Sequence, residues 1–351
     1  MKELSVAIVK SDFHGHHSGS WSNEWLKICD QKNIRHELVD WRKNGAFQEL
    51  RKHNIVIWHY SHYSNDEMTF APGILAALKD SGCTVFPDYP DSRHFDDKII
   101  QAYFLEGLGL PTPKNYVLHS FSAVEDWLNA VGTFPIVAKL KAGSGASNVV
   151  LLRNKRQLMR YAKRMFGRGF NSKPSALFKI KSNASSSRSL RDVLARAKRA
   201  PEFFFSRRLA AGRGRERGYV YLQEFIKDVN YDLKVVVIGD KLSFIGRGVR
   251  KGDFRASGGG DLFYDRDLMS PALVKAGFDA YDALGSDCSG FDMILDPVTS
   301  RPVILEVSYG FSHTALMEAG GYYDRKGEWH EGQLNAPEAV LSRLIEKASD
   351  K

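Results

Sequence analysis

The apolar residues of this chain fall into short runs separated by polar, glycine- or proline-bearing links. Up to about residue 94, LSVAIV, IRHELVDW, NIVIWHY and CTVFP read as strands. Trp21–Gln31 and Pro72–Lys79 carry their apolar residues at helical spacing. Strands alternating with helices predict a parallel sheet, and ligands of such sheets bind beyond the carboxyl ends of the strands. Two polar loops fall there, Asp12–Trp21 and His59–Glu67. His14, His16 and His17 suit an anionic substrate, a metal or an ordinary surface loop, and their spacing fixes no ligand geometry.

Further on, Asp96-Asp97-Lys98 opens an amphipathic helix that Gly107–Pro111 stops. Phe121–Val131 is a second helix. FPIVAKLKAGSGASNVVLL (Phe134–Leu152) reads as a strand ending in Lys139, a loop holding Gly143, Ser144 and Gly145, then another strand. Tyr221–Leu242 is a strand, a polar link and a strand that turns at Gly239-Asp240. Leu268–Gly285 is helical, and Gly290–Ser312 reads as two strands joined at Asp296-Pro297. Pro337–Lys347 is a closing helix, against which Tyr322, Tyr323 and Trp329 are expected to pack.

Some polar residues stand out against this pattern. Asp292 and Glu306 each interrupt an apolar strand of the last pair, where they can converge on one face. Buried side by side they repel unless a cation separates them. Mg²⁺ held by hard oxygens is one reading, and two carboxylates hydrogen-bonded at a rim is the other. Lys139 ends an apolar strand, so its charge needs an anion. The following glycines allow a backbone to approach phosphates closely, although such a loop alone is a weak signal. Lys98, read alone, is a solvated lysine in a first helical turn.

Composition is that of an ordinary soluble globular protein, 43% hydrophobic and 26% charged over 351 residues. No apolar run approaches a membrane span. Three well-separated cysteines, Cys29, Cys83 and Cys288, suggest small buried residues in a reducing, cytoplasmic setting. The net charge of +9 hides an asymmetry. Twenty of the fifty Lys and Arg residues lie between Arg153 and Arg217, against three acids, so that segment carries +17 and the remainder −8. It contains a Ser-rich stretch, a basic helix at Ser189–Arg199 and AAGRGRERG. It reads either as an electropositive clamp for a polyanionic acceptor or as a solvated insertion. Nucleic acid is not favoured, because no binding module for it is readable.

In order, the lysine strand, glycine loop, Gln-Glu-Phe-Ile, long hairpin and Asp…Glu strands resemble the ATP-grasp superfamily over roughly Asp96 to Ser312. The resemblance is greatest to ribosomal-protein glutamate ligases, with glutathione synthetases and D-alanine–D-alanine ligases further off. It implies an α/β chain with an N-terminal parallel-sheet domain, a central nucleotide-binding subdomain and a C-terminal α+β subdomain, binding ATP and Mg²⁺. By it, Lys98 and Lys139 meet phosphate, Gly143, Ser144 and Gly145 drape over it, and Gln223, Glu224, Phe225 and Ile226 form the adenine hinge. Asp228 takes the ribose hydroxyls, and Ile294 and Leu305 make the apolar floor. Arg255, Lys251 and Arg247 face the γ-phosphate and acyl group, with Arg250 near them. Asp292 and Glu306 hold metal, and Ser308 stands where the family has an asparagine ligand, a departure that weakens the third position.

The expected boundaries are 1–94, 95–225 with a basic insertion at about 153–218, and 226–351. The expected reaction is ATP-dependent joining of a carboxylate and an amine through an acyl phosphate. Phosphorylation of a hydroxyl on the same scaffold is the alternative. The expected partners are small-molecule carboxylate and amine substrates, an acidic sugar or glycan precursor as polyanionic acceptor, and a second copy in a homodimer.

Overall fold

The computed structural model describes residues 4–15, 19–143, 148–171, 205, 208–209, 212, 214–249 and 261–350. The first unit runs β1 (Ser5–Val9), α1 (Trp21–Gln31), β2 (Arg35–Val39), α2 (Ala46–Leu50), β3 (Ile55–Ile57), α3 (Asn65–Asp80), β4 (Thr84–Phe86) and α4 (Tyr89–Ser92). Its four strands form a parallel sheet in the order β2-β1-β3-β4. β1, β3 and β4 are buried along their whole length, as strands covered on both faces must be. Pro72 does not open α3, as the sequence suggested. The helix starts at Asn65, because Ser64 caps it by accepting the Glu67 N–H at 3.1 Å. The expected polar loop therefore ends earlier, and Glu67 is fully buried.

α5 (Lys98–Gly107) starts from the Asp97 cap and leads into β5 (Asn115–Leu118), α6 (Phe121–Ala130), β6 (Ile136–Lys139) and β7 (Val149–Leu152). α7 (Lys155–Met165), the two-residue strands β8 (Phe170–Asn171) and β9 (Arg215–Glu216), and β10 (Val220–Glu224) follow. β5-β10-β6-β7 form an antiparallel sheet, and β8 pairs with β9 as the neck of the basic insertion. The basic helix expected at Ser189–Arg199 lies outside the described residues.

The rest of the chain contributes β11 (Tyr231–Ile238), β12 (Lys241–Gly248), β13 (Leu262–Phe263), α8 (Pro271–Leu284), β14 (Ser289–Leu295) and β15 (Pro302–Ser308). It ends with α9 (His313–Met317), β16 (Gly321–Tyr323), β17 (Trp329–Glu331) and α10 (Ala336–Ser349). These strands form the seven-stranded sheet β15-β14-β11-β12-β16-β17, with β13 also on β12. Alternation along β11 sorts its side chains: Leu233, Val235 and Val237 pack under α8, while Asp232 and Lys234 point the other way.

α10 packs between the first unit and the C-terminal sheet, on Val236 and Ile238 of β11 as well as on the first unit, and its Arg343 and Lys347 pair with Asp287. Val340, Leu341 and Leu344 share a core with β1, β3 and β4, and the Trp25 indole donates to the Pro337 carbonyl at 2.9 Å. Tyr323 and Trp329 therefore pack on β12 and α8, not on the terminal helix, while Tyr322 lies at the edge of the first core. The three cysteines are free and buried. Among the described residues no helix is long and apolar enough to cross a membrane.

Candidate active site

The central and C-terminal sheets face each other across a cavity of about 430 Å³, with Phe95, Asp96 and His62 of the first unit at one side. β6 and β10 supply Val137, Lys139 and Gln223, because their alternate residues Ile136, Ala138 and Leu222 go to the central core. Asn115 of β5 accepts from the Gln223 amide at 2.9 Å and fixes its direction. Glu224, Phe225 and Ile226 line the cavity where the chain leaves β10.

The opposite wall is charged. Asp292 of β14 and Glu306 of β15 are cross-strand partners. One residue further the register shifts, so that Met293 faces Ile304 and Leu305 is the extra residue. A bulge re-aims side chains, and here both Leu305 and Glu306 line the cavity while Ile304 and Val307 stay in the core. Ile294 lies beside them. Arg247 of β12 donates to both oxygens of Asp232 at 2.7 Å and reaches Asp292 Oδ1 at 2.9 Å. Lys234 also contacts Asp292 Oδ1. Burial works to raise the Asp292 carboxyl, but Arg247 and Lys234 overcome it and hold the group below the usual carboxylate range. For Asp232 burial prevails over Arg247, and its carboxyl is held above that range.

Two lysines approach from the central side. Burial disfavours the charged form of Lys98, but Glu306 and Asp96 outweigh it and raise its pKa. Its Nζ lies 3.3 Å from Glu306 Oε1 and donates to the Gly143 carbonyl at 2.7 Å. Lys139 makes no ion pair or side-chain hydrogen bond among the described residues. Burial brings its ammonium down to about 8, against a weaker pull from Glu306.

The start of the glycine loop is held on two sides. The Gly143 N–H donates to Asp96 Oδ1 at 2.9 Å. The Lys141 and Ala142 N–H groups donate to the two oxygens of Glu216 at 3.2 and 3.3 Å, and Lys141 N–H also reaches the Tyr219 hydroxyl at 2.7 Å.

Of the residues singled out in the sequence, Lys98, Lys139, Gly143, Gln223, Glu224, Phe225, Ile226, Arg247, Asp292, Ile294, Leu305, Glu306 and Ser308 meet around this cavity. Asp228 does not: it is exposed, in a left-handed turn, away from the lining. Ser144, Gly145, Lys251 and Arg255, with Arg250, lie outside the described residues, as do His16 and His17. His14 binds Ser22 Oγ at 3.0 Å and does not line the cavity. Ser308 lines it, but its hydroxyl oxygen accepts from Gly310 N–H at 2.9 Å, which occupies one of its lone pairs. Asp232 and Lys234 were missed. Their signal is two charges, two residues apart, in a strand otherwise apolar, which puts both on one face.

No protein-family model matches the sequence, and no curated protein matches it either. Solved structures do. Over 99% of this chain and 98% of the other, it is similar to a D-alanine–D-alanine ligase from Bacillus anthracis, at 14% identity and a TM-score of 0.55. A RimK-domain ATP-grasp protein from Sphaerobacter thermophilus shares 13% identity over 97% and 100% of the two chains, with a TM-score of 0.53. The ATP-grasp ligase PsnB, solved with a precursor peptide and AMPPNP, shares 14% over 98% of each, with a TM-score of 0.53. The chain has the ATP-grasp fold.

Proposed function

We propose that this chain is an ATP-dependent carboxylate–amine ligase, with ATP held between the central and C-terminal sheets. One observation carries the reading: Lys139, a cavity lysine with no ion-pair partner among the described residues and a lowered pKa, faces a wall where Asp292 and Glu306 stand in register. A lone ammonium among apolar and charged neighbours is a site for an anion. The structural neighbours support it, among them a D-alanine–D-alanine ligase solved with ATP and PsnB with Mg and ADP.

In this reading Lys98, Lys139 and the loop opened by Gly143 hold the phosphates. Ile294, Leu305 and Val137 sandwich the base, and Gln223–Ile226 meet its edge. Asp292 and Glu306 suit Mg²⁺: two hard carboxylates in register, each approached by cations through one oxygen, which leaves the other to a metal. When bound, the ion spreads the charge of the β- and γ-phosphates. Arg247, with Lys251 and Arg255, would then face the transferring phosphoryl group.

The chemistry balances as two displacements. A substrate carboxylate oxygen bonds to the γ-phosphorus as the bond to the β–γ bridging oxygen breaks, giving an acyl phosphate and ADP. The amine nitrogen then bonds to the acyl carbon, phosphate leaves with the C–O bonding pair, and the nitrogen loses its proton. Positioning and fixed charge do most of the work.

The test uses γ-labelled ATP, Mg²⁺ and a small-molecule extract. Label released as free phosphate together with a new amide mass is expected. Label retained on an organic product would establish the phosphotransferase alternative and overturn the ligase reading.

A further inference from the structure

Some surface cations elsewhere on the molecule are paired, while others, such as Lys10, Lys43, Lys114, Lys227 and Lys326, stand singly among the described residues. Lys27 meets Glu24, Lys52 meets Glu49, Lys79 meets Asp88, Lys275 meets Asp279, and Arg325 meets Asp240 and Asp282. α7 differs in gathering unpaired cations on one face. Its inner side, Leu158, Tyr161, Ala162 and Met165, is buried in the central core. Its outer side exposes Lys155, Arg156, Arg160 and Lys163, with Arg153 before the helix and Arg168 after it. No acid occurs between Arg153 and Asn171. Among the described residues none of these six cations forms an ion pair. α6 packs alongside and carries Glu125 and Asp126, yet neither pairs with them.

The neck continues the face. Arg215 and Arg217 flank Glu216, and Arg215 donates to the carbonyls of Arg168 and Gly169 at 2.6 and 2.8 Å. Glu216, the one acid present, does not neutralise its neighbours, because its carboxylate is turned inward on the Lys141 and Ala142 amides. Self-repulsion among unpaired cations works against folding unless a partner offsets it. Among the described residues no carboxylate of the chain neutralises this face, which leaves it open to an external anion.

We propose that the outer face of α7 and the adjoining neck bind an extended acidic segment of a polypeptide. Along a helix, residues three or four apart stand about 5–6 Å from one another, at about 1.5 Å per residue. That describes Arg156, Arg160 and Lys163. In an extended chain the side chains on one side recur at about 6.5–7 Å, so alternate carboxylates meet successive cations. Single-stranded nucleic acid has a similar charge spacing but is held by aromatic stacking as well. On this face Tyr161 is buried, and Phe170 is half-buried with its ring taken by Tyr161 and Arg164. Through Glu216 the neck is tied to the residues just before Gly143, so a segment bound here lies close to the cavity. Binding at this face does not depend on the ligase reading.

The experiment measures anisotropy of a short labelled peptide of alternating Glu and Ser against the full chain, at low and at physiological salt. Binding that weakens with salt is expected. Arg156→Glu/Arg160→Glu/Lys163→Glu should weaken it by roughly tenfold or more, at about half a kcal/mol for each contact. Arg156→Gln/Arg160→Gln/Lys163→Gln should give a smaller loss, and it keeps the test open if the reversal disturbs folding. The control Lys27→Glu/Lys52→Glu/Lys275→Glu makes the same change in net charge at paired positions and should leave binding unchanged. Equal loss in the control overturns the proposal. So does tighter binding of a single-stranded RNA or an acidic-sugar oligomer of the same charge.

Discussion

On the C-terminal wall of the cavity the buried charges are paired within the wall: Arg247 bridges Asp232 and Asp292, and Lys234 joins Asp292. On the central wall Lys139 stands across from them with no such partner among the described residues. Both walls are partly desolvated, so the difference is in what each offers. The paired wall keeps Asp292 ionised. On the central wall Lys98 is paired with Glu306, but Lys139 keeps an ammonium ready for an anion that arrives later, and the cost shows in its pKa of about 8. A fold that satisfied both walls internally would have less reason to bind anything.

The largest expected effect comes from breaking the paired wall. Asp292→Ala leaves Lys234 and Arg247 sharing one remaining carboxylate. Removing one partner of a buried pair costs about 3–5 kcal/mol, because the stranded charge keeps its desolvation penalty. Urea unfolding should show a loss of that size, together with loss of turnover. Asp292→Asn keeps the volume and one hydrogen bond, so it should abolish turnover with a clearly smaller stability loss. Equal, small stability losses for the two would mean that the wall is not the closed network described.

Lys139 should respond in the opposite sense. Lys139→Met removes a half-buried charge that has no ion-pair partner among the described residues, so the nucleotide-free protein should be no less stable. The same change should raise KM for ATP by roughly 10- to 100-fold, as losing a charged hydrogen bond of about 1.5–3 kcal/mol does. The pH dependence follows from its lowered pKa. A lysine depressed when folded loses its proton as pH rises through about 8, while the unfolded chain still holds one. Between there and the ordinary lysine value the unfolded state binds more protons, so Lys139 makes the free protein more stable as pH rises. Over that range kcat/KM for ATP should fall. Lys139→Arg, charged throughout, should flatten both trends, and a flat profile in the unmodified protein would remove Lys139 from the phosphate site.

How much of this was visible beforehand follows the range of the interactions. The parallel sheet, the Gly290–Ser312 strand pair and the convergence of Asp292 and Glu306 were legible, because alternation and turn chemistry act within a strand or a turn. The approach of Lys98 and Lys139 to them was implied by the ATP-grasp resemblance and not by local pattern. The start of α3 was misplaced because Pro72 is a conspicuous helix opener, whereas the Ser64–Glu67 cap is the local interaction that prevails. Lys234 was passed over because a lysine in an amphipathic strand ordinarily faces water. Its role depends on Arg247 and Asp292, which sheet pairing brings to it from other strands. Asp228 was chosen by nearness along the chain, and its turn carries it away from the lining. The join between α10 and the first unit could not be read from either segment alone, since it depends on Trp25 reaching Pro337.

The smallest expected effect lies where the central wall meets the neck of the insertion. Glu216 takes two loop amides, and burial raises its carboxyl in spite of Tyr219 and those N–H groups. Glu216→Gln keeps the shape and one acceptor oxygen, so about one hydrogen bond, worth roughly 1 kcal/mol, should be lost. If Glu216 positions the loop, that loss should appear as a several-fold rise in KM for ATP, with kcat and overall stability nearly unchanged. Tyr219→Phe should give a similar but weaker shift, because Lys141 N–H retains the carboxylate. As pH falls, Glu216 should protonate before an ordinary glutamate and give up part of its acceptor strength, so KM should rise on the acid side. In Glu216→Gln that rise should disappear. A change in unfolding midpoint with no change in KM would instead make Glu216 a fastening of the neck alone.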